Sequence, residues 1–139
     1  MATMTRSTAH FRDVHHHPLT TTLLIVLTWI GAAALVATAH ARVDRLSAAG
    51  GAVAVVASIC AMAYVYMRLL ARQADGSHAL GVGVAWLALA IVTEMAVATQ
   101  VGHGWYALLG SPEHPLLRSC FLFVWIFAPA LFTRFDDAA

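Results

Sequence analysis

The sequence has 139 residues, of which 60% are hydrophobic and 11% charged, and its net charge is +1 with histidine neutral. Soluble domains contain about 45–50% apolar and about 25% charged residues, so this composition indicates an integral membrane protein. The charge balance offers no basic surface for nucleic acid and no acidic tail. The length indicates a single domain.

Four apolar stretches are predicted to cross the hydrocarbon core as helices, since about 20 apolar residues suffice for one crossing. In chain order they cover about 19–41, 48–70, 79–101 and 116–133. Residues 1–18 form a cytoplasmic leader, 19–134 the helical domain and 135–139 a short tail. Continuous apolar runs do not suit a transmembrane barrel, whereas a helix satisfies its backbone amides internally.

The first stretch, LTTTLLIVLTWIGAAALVATAHA, follows Arg6 and Arg12 and ends in A-x-A patterns like those of a secretory cleavage site. The apolar core of a signal peptide has about 7–15 residues, and this run is longer. It is therefore predicted to remain as the first helix of the protein.

Short polar breaks separate the stretches, and such connections make consecutive helices antiparallel neighbours. The predicted fold is an all-α, up-down-up-down four-helix membrane bundle with both termini on one side. Five arginines fall on the side of the termini and three on the opposite side. Because positive charge favours the cytoplasmic side, both termini are predicted to be cytoplasmic.

Small residues are expected to bring the helices together, because lipid offers little hydrophobic drive for helix association. Those predicted to form packing faces recur at steps of four or eight in the second and third stretches: Gly50, Ala54, Ser58, Ala90 and Ala98. Glu94 lies midway between Ala90 and Ala98. Its carboxylate is therefore expected to face protein and not lipid.

Glu94 is the only charged side chain of the third stretch. A charged side chain at the bilayer centre costs about 2.5–3.5 kcal/mol on insertion scales, so its presence calls for a role. One interpretation is structural, with a hydrogen bond between Glu94 and Ser58, Thr28 or Thr38. The alternative is a proton-coupled transporter of a small or cationic substrate.

In the transporter alternative, Glu94 binds the proton or the substrate, and Trp86 and Trp105 are aromatic contacts of the substrate. It requires a polar cavity that reaches the carboxylate.

Histidines suggest a further alternative, a haem- or metal-binding membrane subunit. His103 lies between Gly102 and Gly104, which indicate that the third helix ends before it. His40, at the end of the first helix, and His114, in the third loop, fall on the same predicted side. Imidazole suits haem iron or a divalent metal, so His40 and His103, with His114, could hold haem b or such an ion. The favoured interpretation needs no cofactor.

No enzyme is expected. The sequence contains no G-x-x-x-x-G-K-[ST], H-E-x-x-H, G-x-S-x-G or G-x-G-x-x-G motif. The breaks between the apolar stretches are too short for a soluble catalytic domain.

Two resemblances concern the last two helices. The order W-L-A-L-A-I-V-T-E, G-H-G-W and A-P-A-L-F-T-R is similar to that of a group of uncharacterised, short, four-helix bacterial membrane proteins, in which the glutamate, the G-H-x-W and the closing proline recur. That resemblance implies correspondence at Glu94, His103, Trp105 and Pro129, and implies no activity. The stretch AIVTEMAVAT also resembles the glutamate-bearing helix of small multidrug resistance transporters, where the glutamate binds protons and cationic drugs. That family carries it on the first helix, whereas Glu94 is on the third.

The favoured interpretation is a small polytopic membrane protein that acts through helix–helix contacts. Its partners would be the lipid bilayer and either further copies of itself or the other subunits of a larger membrane complex.

Overall fold

The computed structural model describes residues 18–43, 48–101 and 106–133, and these form four α-helices and one π-helical turn. The elements are α1 (Pro18–Val43), α2 (Ala48–Val65), the π-helical turn (Tyr66–Leu70) that continues α2, α3 (Gly76–Val101) and α4 (Pro115–Leu131). The described residues contain no strand, which confirms the prediction of an all-helical fold. When the π-helical turn is counted with α2, the observed helix bounds lie within three residues of those expected.

The starts of α3 and α4 follow from local chemistry. The Asp75 carboxylate accepts hydrogen bonds from the His78 amide (2.8 Å) and the Ser77 hydroxyl (2.9 Å), so it caps the free amides at the start of α3. These two donors hold the pKa of Asp75 below its usual range. The helix α4 begins with Pro115, whose missing N–H would have no partner at that position.

Three helices are long and apolar enough to cross a membrane, over Pro18–Ala39, Gly50–Leu70 and Gly76–Val101. The fourth, α4, is apolar but has only 17 residues. At 1.5 Å per residue it extends over about 25 Å. That length is below the roughly 30 Å of a typical hydrocarbon core.

The helices pack as two pairs. The most extensive contacts join α1 to α2 and α3 to α4, and the pairs meet through α2 with α4 and α1 with α3. The expectation that every pair of consecutive helices would be neighbours is wrong for α2 and α3, which are not among the well-packed pairs of the described residues. The five-residue connection 71–75 explains the difference, because it can span about 17 Å. That reach exceeds the diagonal of a bundle whose neighbouring axes lie about 8–10 Å apart.

Gly83 on α3 lets this helix pack very close to α4. A Cβ at this position would overlap the carbonyl group of Ile126, so only glycine allows this spacing. Gly83 was not among the packing residues predicted from the sequence. Of those, Ala90 is fully buried and the others are half-buried: Gly50, Ala54, Ser58 and Ala98.

Three large aromatic rings occupy the centre of the bundle and are almost completely buried: Tyr66, Trp86 and Trp125. Trp86 lies edge-on to both of the others, with ring centroids 6.3 Å from Tyr66 and 6.2 Å from Trp125. Its indole N–H donates to the carbonyl oxygen of Ile25 on α1 at 3.1 Å. One side chain of α3 therefore contacts elements of the whole bundle, including the turn that continues α2.

Candidate functional site

The carboxylate of Glu94 lies inside the bundle, with 8% of the residue exposed. Its Oε1 accepts two hydrogen bonds from backbone amides, from Leu108 at 3.0 Å and from Leu109 at 2.8 Å. Both donors belong to the connection between α3 and α4. We call this arrangement of the Glu94 carboxylate and the two amides the Glu94 clasp.

The segment held by the clasp is a single helical turn. The Gly110 amide donates to the carbonyl oxygen of Tyr106 at 3.0 Å, which closes a five-residue turn. Amides at the start of such a turn have no partner within it, so Leu108 and Leu109 present free donors. Glu94 supplies the acceptor, as a capping side chain does at a helix start, although it comes from another helix.

The turn ends at Gly110, whose φ of +83° is a conformation that favours glycine. A Cβ there would also lie 3.1 Å from the ring of Phe121. The chain can therefore reverse direction against α4 only because this residue has no side chain.

This turn is buried, in contrast to most loops. Ala107 and Leu109 are 2% and 3% exposed, and Leu108 is fully buried. Glu94 precedes the end of α3 at Val101 by seven residues, so at 1.5 Å per residue the turn descends about 10 Å into the bundle. Buried backbone groups need partners, and the clasp provides them for two amides.

Trp125 completes the support of the turn from the side of α4. Its indole N–H donates to the carbonyl oxygen of Leu108 at 2.9 Å. The peptide groups on either side of Leu108 are thus paired with side chains of two helices, Glu94 on α3 and Trp125 on α4. Because Trp125 also contacts Trp86, the turn is joined to the central aromatic rings.

The hydrogen-bond partners predicted for Glu94 were wrong. Ser58, Thr28 and Thr38 each donate to a carbonyl oxygen of their own helix, at 2.7–2.9 Å. Hydroxyl groups within helices commonly bond in this way to the preceding turn. The predicted polar break GHGWYALLGSPEHP contains the buried turn. The apolar run ALL followed by glycine was the signal that part of this loop could be buried.

The structure describes two of the three residues proposed for proton or substrate binding, Trp86 and Glu94. Trp86 is fully buried and its indole N–H is bonded to Ile25, so it is a core residue. The Oε1 atom of Glu94 accepts the two amide hydrogen bonds of the clasp. Trp105 lies outside the described residues. A shallow apolar groove of about 310 Å³ runs between α2 and α4, and Glu94 is not among its lining residues.

The histidines proposed as ligands are only partly described. His114 is exposed and directly precedes α4. His103 and the side chain of His40 lie outside the part of the chain that the structure describes. Within that part, no group of three or more histidine, cysteine, aspartate or glutamate side chains is arranged to hold a metal ion.

The arrangement around Glu94 is suited to stabilising a fold more than to turnover. A carboxylate makes stronger hydrogen bonds than a neutral acceptor, and the two amides that it binds belong to the backbone and stay in place. A scan against protein-family models and searches of curated proteins and of solved structures gave no match to this chain.

Proposed function

We propose that this chain is an integral membrane protein that acts through helix–helix contacts and not by catalysis. It would work as a homo-oligomer or as an accessory subunit of a larger membrane complex in a bacterial inner membrane. Three apolar helices of sufficient length support the membrane placement. Few polar groups interrupt them: Arg68 and Glu94 are the only Asp, Glu, Lys or Arg residues in those three spans.

The observation that carries this proposal is the Glu94 clasp. An intramembrane carboxylate is by default a candidate for a proton or ion pathway. Here its Oε1 is bonded to two backbone amides, and the loop that they belong to is buried against it. The carboxylate is thus accounted for by the fold, which favours a scaffold over a transporter.

The proposed topology is up-down-up-down with both termini in the cytoplasm. By sequence position, this topology assigns five arginines to the side of the termini and the 71–75 connection: Arg6, Arg12, Arg68, Arg72 and Arg134. It assigns three to the opposite side: Arg42, Arg45 and Arg118. The excess is consistent with the rule that positive charge stays on the cytoplasmic side.

The test begins with the protein in its own membrane. Alkaline carbonate should leave the chain in the membrane pellet, and extraction in polymer nanodiscs preserves its neighbours. Native mass spectrometry of these discs should then give a mass above the 14.8 kDa of one chain, as a multiple of it or with other membrane proteins. A single chain without any companion would contradict the proposal.

A second measurement separates the scaffold from the transporter. Purified protein in proteoliposomes is given a pH gradient, and internal pH is followed with a dye for the wild type and for Glu94→Gln. The scaffold predicts the same slow leak for both proteins. A proton flux that the wild type supports and Glu94→Gln abolishes, with both proteins equally folded, would overturn the proposal in favour of transport.

A further inference from the structure

Two arginines lie at the end of the bundle where the chain passes from α2 to α3. Arg68 belongs to the π-helical turn, and its Nε is buried without a hydrogen-bond partner; among the described residues only the Trp29 indole nitrogen shares that state. Arg72 follows four residues later and is exposed, and its Nε donates to the carbonyl oxygen of Arg68 at 3.0 Å. This bond holds the Arg72 side chain against the backbone of Arg68 at the end of the turn.

The π-helical turn determines where Arg68 lies. The Ala71 amide donates to the carbonyl oxygen of Tyr66, five residues earlier, at 2.8 Å. A turn closed in this way rotates less per residue than the 100° of an α-helix. Tyr66 and Met67 are consequently both buried, and Arg68 is half-buried beside them. The Nε of its guanidinium group is buried, although the residue as a whole is only half-buried.

No carboxylate of the described residues neutralises this pair. Asp75 is the acidic residue closest in sequence, and its hydrogen bonds come from Ser77 and from the His78 amide. The guanidinium groups therefore have donors that remain available to an anion. Arginine presents these donors in a fork that matches phosphate oxygens.

The two residues that follow Arg68 in the chain are apolar and exposed. Leu69 and Leu70 lie between Arg68 and Arg72 in the sequence and are 54% and 42% exposed. A free anion would gain nothing from these leucines, whereas a phospholipid brings a charged headgroup and an acyl chain together. The neighbourhood thus favours a lipid over a soluble anion.

We propose that Arg68 and Arg72 form a binding site for the phosphate of an anionic phospholipid, with Leu69 and Leu70 against its acyl chain. The site rests on the membrane placement proposed above, with this end of the bundle at the headgroup level. Basic side chains at such a level contribute about 1 kcal/mol each toward anionic lipid, which corresponds to about a fivefold change in affinity.

The experiment uses the full chain in a neutral detergent and follows its thermal unfolding. Phosphatidylglycerol is titrated as mixed micelles, with phosphatidylcholine and inorganic phosphate as parallel series. A ligand that binds the folded protein raises the unfolding temperature with concentration. The wild type should be stabilised by phosphatidylglycerol well beyond the other two series. Arg72→Gln, at an exposed position, and Arg68→Gln should each weaken the apparent affinity about fivefold.

The control is Arg42→Gln, which removes an exposed arginine at the far end of α1 and should leave the titration unchanged. Unaltered phosphatidylglycerol affinity in Arg72→Gln would overturn the site, and this variant decides the matter if Arg68→Gln does not fold. Equal stabilisation by inorganic phosphate would overturn the assignment to lipid. Carbonate extraction of the same variants reports membrane placement separately, so a failed lipid site and a failed placement give different results.

Discussion

Replacing Glu94 with alanine should destabilise the fold strongly, because it removes the acceptor of two buried amides. A buried donor left without a partner costs about 1–3 kcal/mol, so the two amides together predict a loss of about 2–6 kcal/mol in the free energy of unfolding. The turn itself cannot compensate, since the amides of Leu108 and Leu109 stand at its start. The loss is comparable with the whole stability of a small domain, about 5–15 kcal/mol.

The glutamine variant should fall between alanine and the wild type. An amide oxygen still has two lone pairs for the two donors, so Glu94→Gln loses only the strengthening from charge. Hydrogen bonds to charged groups contribute about 1.5–3 kcal/mol and neutral ones about 0.5–1.5 kcal/mol. Corresponding ends of these ranges differ by about 1–1.5 kcal/mol, so the expected loss over both bonds is about 2–3 kcal/mol.

The assay is reversible unfolding of the full chain in mild detergent, followed by tryptophan fluorescence and near-ultraviolet circular dichroism. Glu113→Ala is the matched control, since it removes an exposed glutamate just after the buried turn and should change stability by less than about 0.5 kcal/mol. The free energy of unfolding is expected to fall in the order wild type, Glu94→Gln, Glu94→Ala. An alanine variant that unfolds together with the wild type would refute the structural role of the clasp.

Three further variants test other contacts in the same assay. Gly83→Ala should lower the free energy of unfolding by at least about 1–3 kcal/mol, because the added methyl group overpacks against α4. Gly81→Ala is the control and should be tolerated, since its Cβ would meet nothing within 4 Å. Equal stability of the two variants would contradict the close contact at Gly83. Trp125→Phe should lower the free energy of unfolding by about 1–3 kcal/mol, because it leaves the carbonyl oxygen of Leu108 unpaired. If the losses of Trp125→Phe and Glu94→Ala add up in the double variant, the two contacts are independent. Because the pKa of Asp75 is lowered in the folded state, its carboxylate stabilises the fold at pH values above the unfolded pKa, and this contribution disappears as the pH falls through the folded pKa. The free energy of unfolding of the wild type should therefore drop below about pH 4. Asp75→Asn should reduce that drop.

The helices could be predicted from the sequence because their signal is local and strong. Each is a run of apolar residues, and a chain in lipid can satisfy its amides in such a run only as a helix. The π-helical turn could not be predicted, since YMRLL has the composition of the helix that it continues. Nor could the diagonal placement of α2 and α3, which depends on the reach of the 71–75 connection and on the fit of Tyr66 against Trp86.

Of the candidate site, only the central residue, Glu94, could be predicted from the sequence. Glu94 was identified because a carboxylate in an apolar run is costly, and costly residues call for partners. The partners were missed because they are backbone amides, which every residue but proline has and no residue type marks. Reasoning from side-chain types led to hydroxyl groups instead, although these were already bonded within their own helices.

The buried turn and the short fourth helix explain each other, and together they explain the carboxylate. An α4 of about 25 Å leaves one end of the bundle thinner than a typical hydrocarbon core of about 30 Å. The turn at 107–110 descends into that end and fills it with apolar side chains. In the proposed membrane placement its backbone then needs hydrogen-bond partners where lipid offers none. Glu94 accepts from the Leu108 amide, and Trp125 donates to the Leu108 carbonyl oxygen. A charged residue that would be costly alone thus allows a loop to replace part of a helix.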